Sequence, residues 1–379
     1  MTRQLEGSWL DRSNVLHSRV QHFIQSTRHD PAQFEKLALD IAQFQADTNP
    51  GYARLVQVHG GQLDRLNSIP AVPVQAFRFT RVAVHPPEAD TVRYLTSGTT
   101  VAQKGTHPMR RTDTYRASAV AWGKQALLPL GAGQAAVVAL LQAGTVNSSS
   151  LSSMAQMFMD EYDSIREHSG AQGSLPSRWL LTEQGVDIEG LAAYLERAQT
   201  SALTILVMAT AFAMVRLLDA LHQKRLDICP DAVVMLTGGF KGKSREISGP
   251  ELRAQVAWTF GIDEGRVVGE YGMTELSSQL YEGCLPQGQL SAERGIYLPP
   301  PWLRVDPVNP ETLEPVNPGD AGIARFVDLA NVDSAISIVT EDLIRRRGNG
   351  IELLGRSQGA PLRGCSLIAE EWINSNSAT

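Results

Sequence analysis

The amino-acid sequence predicts an α/β fold: layered β-sheets with helices, followed by a β-rich C-terminal part. Three observations predict it. Between 135 and 270, apolar runs alternate with amphipathic ones, the rhythm of strands layered with helices. From 296 onward the apolar runs shorten and are separated by Pro, Asn and Gly, so helical periodicity fades. Two stretches rich in glycine and hydroxyls, TSGTTVAQKG at 96–105 and GEYGMTELSS at 269–278, stand out from this pattern. With 379 residues and 43% hydrophobic content, the chain can bury a sizeable core.

In chain order, Val15, Val20, Phe23, Phe34, Leu37, Ile41 and Phe44 recur at spacings near three and four and are interrupted by Asp30-Pro31, which predicts two helices. Ser68-Ile69-Pro70 and Val72-Pro73-Val74 predict an extended segment running through Phe77 and Phe79 to Val84, because a residue before proline avoids the helical region. Residues 92–95 have strand character and 104–111 form a short run containing Pro108, so the first glycine stretch is expected to join two strands. A helix is expected from Asp113, with Tyr115, Ala119, Trp122 and Ala126 on one face. The apolar runs at 135–141, 154–159, 203–208, 212–221 and 232–236 carry the α/β rhythm. Ser248 then supplies a cap hydroxyl, Pro250 a first-turn proline, Glu251 a glutamate three residues after the cap and Gly261 a stop. Runs at 296–305, 322–327, 335–339 and 350–354 complete the β-rich part.

The formal charge of −6 comes without a run of five or six like charges, so neither nucleic acid nor an anionic membrane surface is an expected partner. Cys229, Cys284 and Cys365 are odd in number, far apart and without a CxxC, which argues against a zinc site or a disulfide framework and favours a reducing cytoplasm. The N-terminal MTRQLEGSW lacks a basic-then-apolar leader pattern, and the longest apolar stretch, 203–215, is too short to span a bilayer. No membrane insertion is expected.

The chemistry of the first stretch follows from its residue types. Gly98 lets backbone approach an anion, Ser97, Thr99 and Thr100 offer hydroxyl donors, and Lys104 can neutralise phosphate charge. It is not a Walker sequence, in which glycine precedes the lysine, so a P-loop ATPase or kinase is disfavoured. In the second stretch Tyr271 offers an aromatic face to a nucleobase. Thr274 and Glu275 add a hydroxyl and a carboxylate, and a magnesium ion held by one carboxylate plus phosphate oxygens needs little more. Each stretch alone reads equally well as a solvated or strand-end turn; the pair shifts that balance.

In this order and separation the two stretches resemble the adenylate-forming superfamily of acyl and aryl acid ligases. The resemblance implies its large-domain fold and the use of ATP and Mg2+. Phosphates would be held by Thr96, Ser97, Gly98, Thr99, Thr100, Lys104 and Gly105. Tyr271, with Gly272 and Met273 beside it, would stack on adenine, Thr274 would contact phosphate, and Glu275 would bind the metal. Thr340-Glu341-Asp342 and Gly355-Arg356 look like the superfamily's ribose-binding aspartate and the arginine before its interdomain hinge. Thr237-Gly238-Gly239-Phe240 looks like the glycine turn against which adenine lies.

Over nearly the whole length the chain is similar to one branch, the acyl-protein synthetases of the fatty-acid reductase of luminous bacteria, called the LuxE family. The similarity rests on IPAVPVQAFRFTRV, on GGFKGKSRE at 238–246, on EYGMTELSSQLY at 270–281 and on RGCSL at 363–367. It implies two steps: activation of a carboxylic acid, in this branch a fatty acid, as acyl-AMP with release of pyrophosphate, then transfer to Cys365 as a thioester for delivery to a partner reductase. Cys365, Lys104, Thr274 and Glu275 would be the catalytic residues. Cys284 is the second thiol candidate, and Cys229, before Pro230, reads as structural. Residues 1–356 would form the adenylate-forming core, and 357–379 a short tail after the hinge in place of a full mobile domain.

Two departures from the pattern stand out. Val101 occupies a position where the superfamily usually has another glycine, and the lysine of the mobile domain is expected to be missing, so that either Lys104, Lys241 or Lys243 takes its part or adenylation is slow. Apolar residues at 154–159 and 212–218 would suit either the acid or the core. Two rival functions remain open at this stage. One is a ligase that passes an acyl or aryl group to coenzyme A or a carrier protein, the other a non-catalytic nucleotide-binding scaffold.

Overall fold

The computed structural model describes residues 8–96, 104–132, 135–168, 175–200, 203–238 and 247–356. The chain divides into two compact units. One comprises Met1–Ala121, Met273–Gln279 and Pro299–Thr379, and the other Trp122–Gly272 and Leu280–Leu298.

The first unit opens with α1 (Trp9–Gln25), α2 (Pro31–Thr48) and α3 (Pro50–Val58). Two of them start with the same device: Asp30 and Asn49 accept backbone N–H groups of Ala32 and Tyr52, and the prolines that follow stand where a missing N–H leaves no bond unmade. Phe23, Leu37, Ile41 and Phe44 are buried as their spacing predicts, whereas Val15 lies on an exposed face. The extended segment expected through Val84 is corrected. Only β1 (Val72–Pro73) is a strand, and a single helical turn, α4 (Ala76–Phe79), follows. A strand would have put Phe77 and Phe79 on one face; the turn buries Phe77 to 1% exposure and leaves Phe79 at 56%.

The antiparallel pair β2 (Val92–Leu95) and β3 (Thr106–Met109) comes next, with Leu95 opposite Thr106. On α5 (Asp113–Leu127) the four residues Tyr115, Ala119, Trp122 and Ala126 are all buried. A buried carboxylate ties the start of the chain to this region. Asp333 accepts from Ser13 at 2.5 Å, pairs with His17 Nε2 at 3.1 Å and with Arg110 Nε at 3.1 Å. Burial opposes its ionisation, but the bonds from His17 and Ser13 and the neighbouring Arg110 guanidinium hold its pKa down at about 2.

The second unit holds β4 (Ala135–Gln142), α6 (Ser150–His168), β5 (Arg178–Thr182), β6 (Gly185–Val186), α7 (Ile188–Gln199), β7 (Thr204–Thr210), α8 (Ala211–Leu221), β8 (Val233–Thr237), α9 (Gly249–Phe260), β9 (Val267–Tyr271), β10 (Leu280–Glu282) and β11 (Ile296–Leu298). Strands β5, β4, β7, β8 and β9 run parallel in that order, while β10, β11 and β6 pair antiparallel at the ends. Parallel strands covered on both faces read as continuous apolar runs, which is why 135–141 and 203–208 lack alternation. One face packs Val138, Val207 and Val234 with Leu195, Leu217 and Phe260 of the helices. Met214, Val215, Leu217 and Leu221 of the run 212–221 therefore belong to this core. On α6, Met154 takes the Tyr281 hydroxyl at 3.8 Å, and a Cβ at Gly123 would lie 2.2 Å from the Phe158 ring, so only glycine fits there. Helix α9 ends as its sequence predicts, capped by Ser248 on the Glu251 N–H and stopped by Gly261 at φ +65°.

Back in the first unit, β12 (Leu303–Val308), β13 (Ala321–Asp328), β14 (Ser337–Arg347) and β15 (Gly350–Arg356) form an antiparallel meander, with β1 parallel on β14. Strand β14 runs well past the apolar segment 335–339, because its polar C-terminal half is fully paired with β15. Trp302 is buried and donates from its indole to Ser118 at 2.8 Å. Among the described residues, no helix is long and apolar enough to cross a membrane.

Candidate active site

The first stretch emerges from a closed hairpin. Thr96 N–H donates to the Gly105 carbonyl at 2.9 Å, and Gly105 N–H donates to the Thr96 hydroxyl at 2.9 Å, so these two residues form the neck of the loop. A Cβ at Gly105 would meet the Phe77 carbonyl and the Thr96 methyl, both at 3.0 Å; the glycine keeps the neck narrow. Lys104 is exposed beside it. Ser97, Gly98, Thr99, Thr100 and Val101 lie outside the described residues.

The second stretch is divided by the unit boundary: Glu270, Tyr271 and Gly272 belong to one unit and Met273 to Gln279 to the other. In the first unit Thr274 is tied twice to the hairpin. Its carbonyl accepts from His107 Nδ1 at 2.7 Å, and its hydroxyl donates to the Leu95 carbonyl at 3.4 Å. The Leu276 N–H closes a turn onto Met273 at 3.1 Å, and Glu275, buried, has its carbonyl held by Asn331 at 2.9 Å. Asp328 then takes the Ser277 N–H at 3.0 Å and the Ser278 hydroxyl at 2.7 Å, and Ser277 donates to Asn331 at 2.7 Å. The structure thus brings the neck of the first stretch together with Thr274 and Glu275. Complete burial pushes Asp328 up to about 6 against these donors. Burial also pushes His107 down to about 4, against the Thr274 carbonyl bond that favours its proton, so the imidazole is neutral at physiological pH.

Asp342 does not sit at a strand end. It lies inside β14, directly opposite Arg356 on β15, and Arg356 Nε donates to its carboxylate at 3.0 Å. Its own N–H is taken by the Thr340 hydroxyl at 3.1 Å. Gly355 has φ +105°, a backbone state that L side chains rarely adopt, just before the last described residue.

In the second unit Thr237 ends β8 and Gly238 turns the chain at φ +74°, as a strand followed by a glycine turn predicts. Gly239 and Phe240, together with Lys241 and Lys243, lie outside the described residues. The Thr237 hydroxyl donates to the carboxylate of Glu270, its neighbour across the parallel pair β8 and β9. Burial drives Glu270 up to about 7, and this one hydroxyl bond opposes the shift. Tyr271 meets Tyr297 edge-on, with ring centroids 6.5 Å apart.

Cys365 lies outside the described residues. Cys229 and Cys284 are half-buried and have thiols pushed up by desolvation; the Cys284 Sγ faces the Gly265 carbonyl at 3.6 Å. Such thiols are poor nucleophiles, which weakens Cys284 as the second candidate. Sequence reasoning missed His107, Asp328 and Asn331. Nothing local in the sequence marks any of the three.

No known protein-family profile matches the chain. Among curated proteins it is similar to the long-chain-fatty-acid–luciferin-component ligase of Vibrio harveyi, 22% identical over 203 residues and covering 51% of each chain. The protein of the same name from Aliivibrio fischeri is 22% identical over 214 residues, covering 53% of this chain and 54% of that one. The matched part therefore spans about half the length of these relatives. Among solved structures, 2-hydroxyisobutyryl-CoA ligase in an open conformation with 2-HIB-AMP and CoA superposes with a TM-score of 0.58 at 16% identity, over 86% of this chain and 75% of that one. The same ligase in its postadenylation state gives 0.57 at 14% identity, over 94% and 72%. The chain has the fold of the adenylate-forming ligases, and in sequence it resembles the acyl-protein synthetase branch to which these luciferin-component ligases correspond.

Proposed function

We propose that the chain is an ATP-dependent acid ligase of the acyl-protein synthetase type. One observation carries the reading: Thr274 is tethered twice to the hairpin whose loop is TSGTTVAQKG, with Glu275 next to it in a turn fixed by Asn331 and Asp328. A hydroxyl held at the neck of a glycine-hydroxyl-lysine loop, with a carboxylate on the next residue, suits a nucleoside triphosphate with its cation. The names of the curated relatives, and the adenylate bound by the superposed ligase, support the same reading.

In this reading Ser97, Thr99, Thr100 and Lys104 take the phosphates, with Gly98 allowing close approach. Tyr271 takes adenine with Gly238 and Gly239, and Asp342, beside Arg356, accepts the ribose hydroxyls. Among the described residues no group of three or more His, Cys, Asp or Glu side chains could hold a metal. Glu275 would be the residue to hold magnesium, which would neutralise phosphate charge. The acid's carboxylate oxygen attacks the α-phosphorus, the bond to the β-phosphate oxygen breaks, and pyrophosphate leaves with its charge met by Lys104 and the hydroxyl donors. The Cys365 thiolate then attacks the acyl carbonyl. A C–S bond forms as the C–O bond to AMP breaks, AMP leaves with the electron pair, and the thiol proton has already passed to solvent. A fatty acid is the substrate and a reductase the recipient, in a reducing cytoplasm that keeps the thiol free.

Acid-dependent exchange of labelled pyrophosphate into ATP, run across a panel of acids, tests the first step. Intact-mass measurement tests the second: an acyl adduct is expected, lost in Cys365→Ser while exchange persists. The superposed CoA ligase favours one alternative, transfer to coenzyme A, which would appear as no adduct and a thioester formed only when coenzyme A is supplied. ATP binding without exchange for any acid would leave a nucleotide-binding scaffold.

A further inference from the structure

His107 stands on β3 two residues after Gly105 and is buried to 1% exposure. Its Nδ1 lies 2.7 Å from the Thr274 carbonyl, an acceptor only, so Nδ1 carries the proton and donates. The ring meets Phe77 edge-on at 5.5 Å, which fixes its plane. Thr274 is thereby held to both strands of the hairpin, by its carbonyl to β3 and by its hydroxyl to the Leu95 carbonyl on β2.

We propose that His107 is a positioning residue for the nucleotide. Through the Thr274 carbonyl it sets the distance between the hairpin neck, with Thr96, Lys104 and Gly105, and the Thr274–Glu275 pair, so that both engage one polyphosphate together. The proposal rests on the ligase reading given above. Two features separate it from simple packing. A packing role needs only a ring against Phe77, whereas the bond needs an N–H at the Nδ1 position. The imidazole is also kept neutral by burial, so it adds no cation to compete with Lys104 for the phosphates.

The experiment measures pyrophosphate exchange in His107→Phe and His107→Asn. Phenylalanine keeps a ring against Phe77 and lacks the donor; asparagine places an amide N–H near the Nδ1 position. The expected result is that His107→Phe raises the KM for Mg-ATP about tenfold, while the KM for the acid stays unchanged and His107→Asn returns to within about threefold of wild type. An unchanged KM for Mg-ATP in His107→Phe would overturn the proposal. So would an equal loss in both variants, or a parallel rise in the KM for the acid. If the wild type shows no exchange with any acid, the ligase reading fails alone, and ATP affinity by titration calorimetry then decides on His107. About tenfold weaker binding in His107→Phe with recovery in His107→Asn sustains the proposal, and equal affinities overturn it. A wild type that does not bind ATP overturns both. Should His107→Phe not fold, His107→Leu takes its place with the same outcomes.

Discussion

Two buried polar contacts, one in each unit, sit beside residues with proposed nucleotide roles, and they differ in how they respond to protons. In the first unit His107 holds the Thr274 carbonyl; in the second, Thr237 bonds to Glu270, next to Gly238 and Tyr271. Burial is the main cause of both pKa shifts, yet it lowers the base to about 4 and raises the acid to about 7. The first contact is indifferent to pH across the physiological range, and the second titrates inside it. A desolvated environment therefore favours the neutral form of both groups, but only the histidine is far from its switching point.

The largest expected effect comes from breaking the first unit's anchor. Asp328→Ala leaves the donors at Ser277, Ser278 and Ala330 without their buried carboxylate. Urea unfolding at neutral pH is expected to show a loss of about 3–5 kcal/mol, and a loss below 1 kcal/mol would mean that these donors find other partners.

Glu270→Gln sharpens the contrast between the two contacts. Because the native carboxyl holds its proton up to about pH 7 and the unfolded one loses it near 4.5, the native state binds more protons in that window, and stability falls as pH rises through it. Glutamine removes this slope. The variant should match wild type at acidic pH and exceed it above pH 7 by an amount on the order of 3 kcal/mol, read from unfolding curves across pH. Asp328 shares the sign of Glu270, but its slope ends at about 6. His107 has the opposite sign, with its contribution rising between about 4 and 6.5 and level above, so neither mimics the effect above neutrality. Parallel pH curves for wild type and Glu270→Gln would rule out Glu270 as the titrating group.

The smallest effect tests the turn alone. Gly238→Ala, at φ +74° and with no atom of the described residues within 4 Å of the missing Cβ, should cost about 1 kcal/mol by thermal unfolding from backbone strain. A loss several times larger would show that the turn also carries packing.

Much of the fold was legible because it depends on neighbours in sequence. The cap Ser248 and stop Gly261 of α9, the Asp30-Pro31 start of α2, the buried stripe Tyr115–Ala119–Trp122–Ala126 and the strands joined by TSGTTVAQKG were all readable, since a cap or a helix face is decided within one or two turns. Where the reading went astray, distant partners had decided. The run through Phe77 and Phe79 has strand composition but finds no strand to pair with beyond Val74, so it folds into a turn. The polar half of β14, holding Asp342, is a strand because β15 pairs with it.

The same division holds for the site. By itself the sequence determined which residues have the chemistry: hydroxyls and glycine around Lys104, an aromatic beside Thr274 and Glu275, and the similarity to adenylate-forming ligases that these motifs carry. Only the tertiary structure decided what holds them. His107 and Thr274 are 167 residues apart in the chain, and Asp328 and Asn331 stand 50 to 54 residues from the serines they anchor. A buried polar atom must find a partner somewhere, but its residue type does not say where, so the bonds that set this geometry leave no local pattern to read.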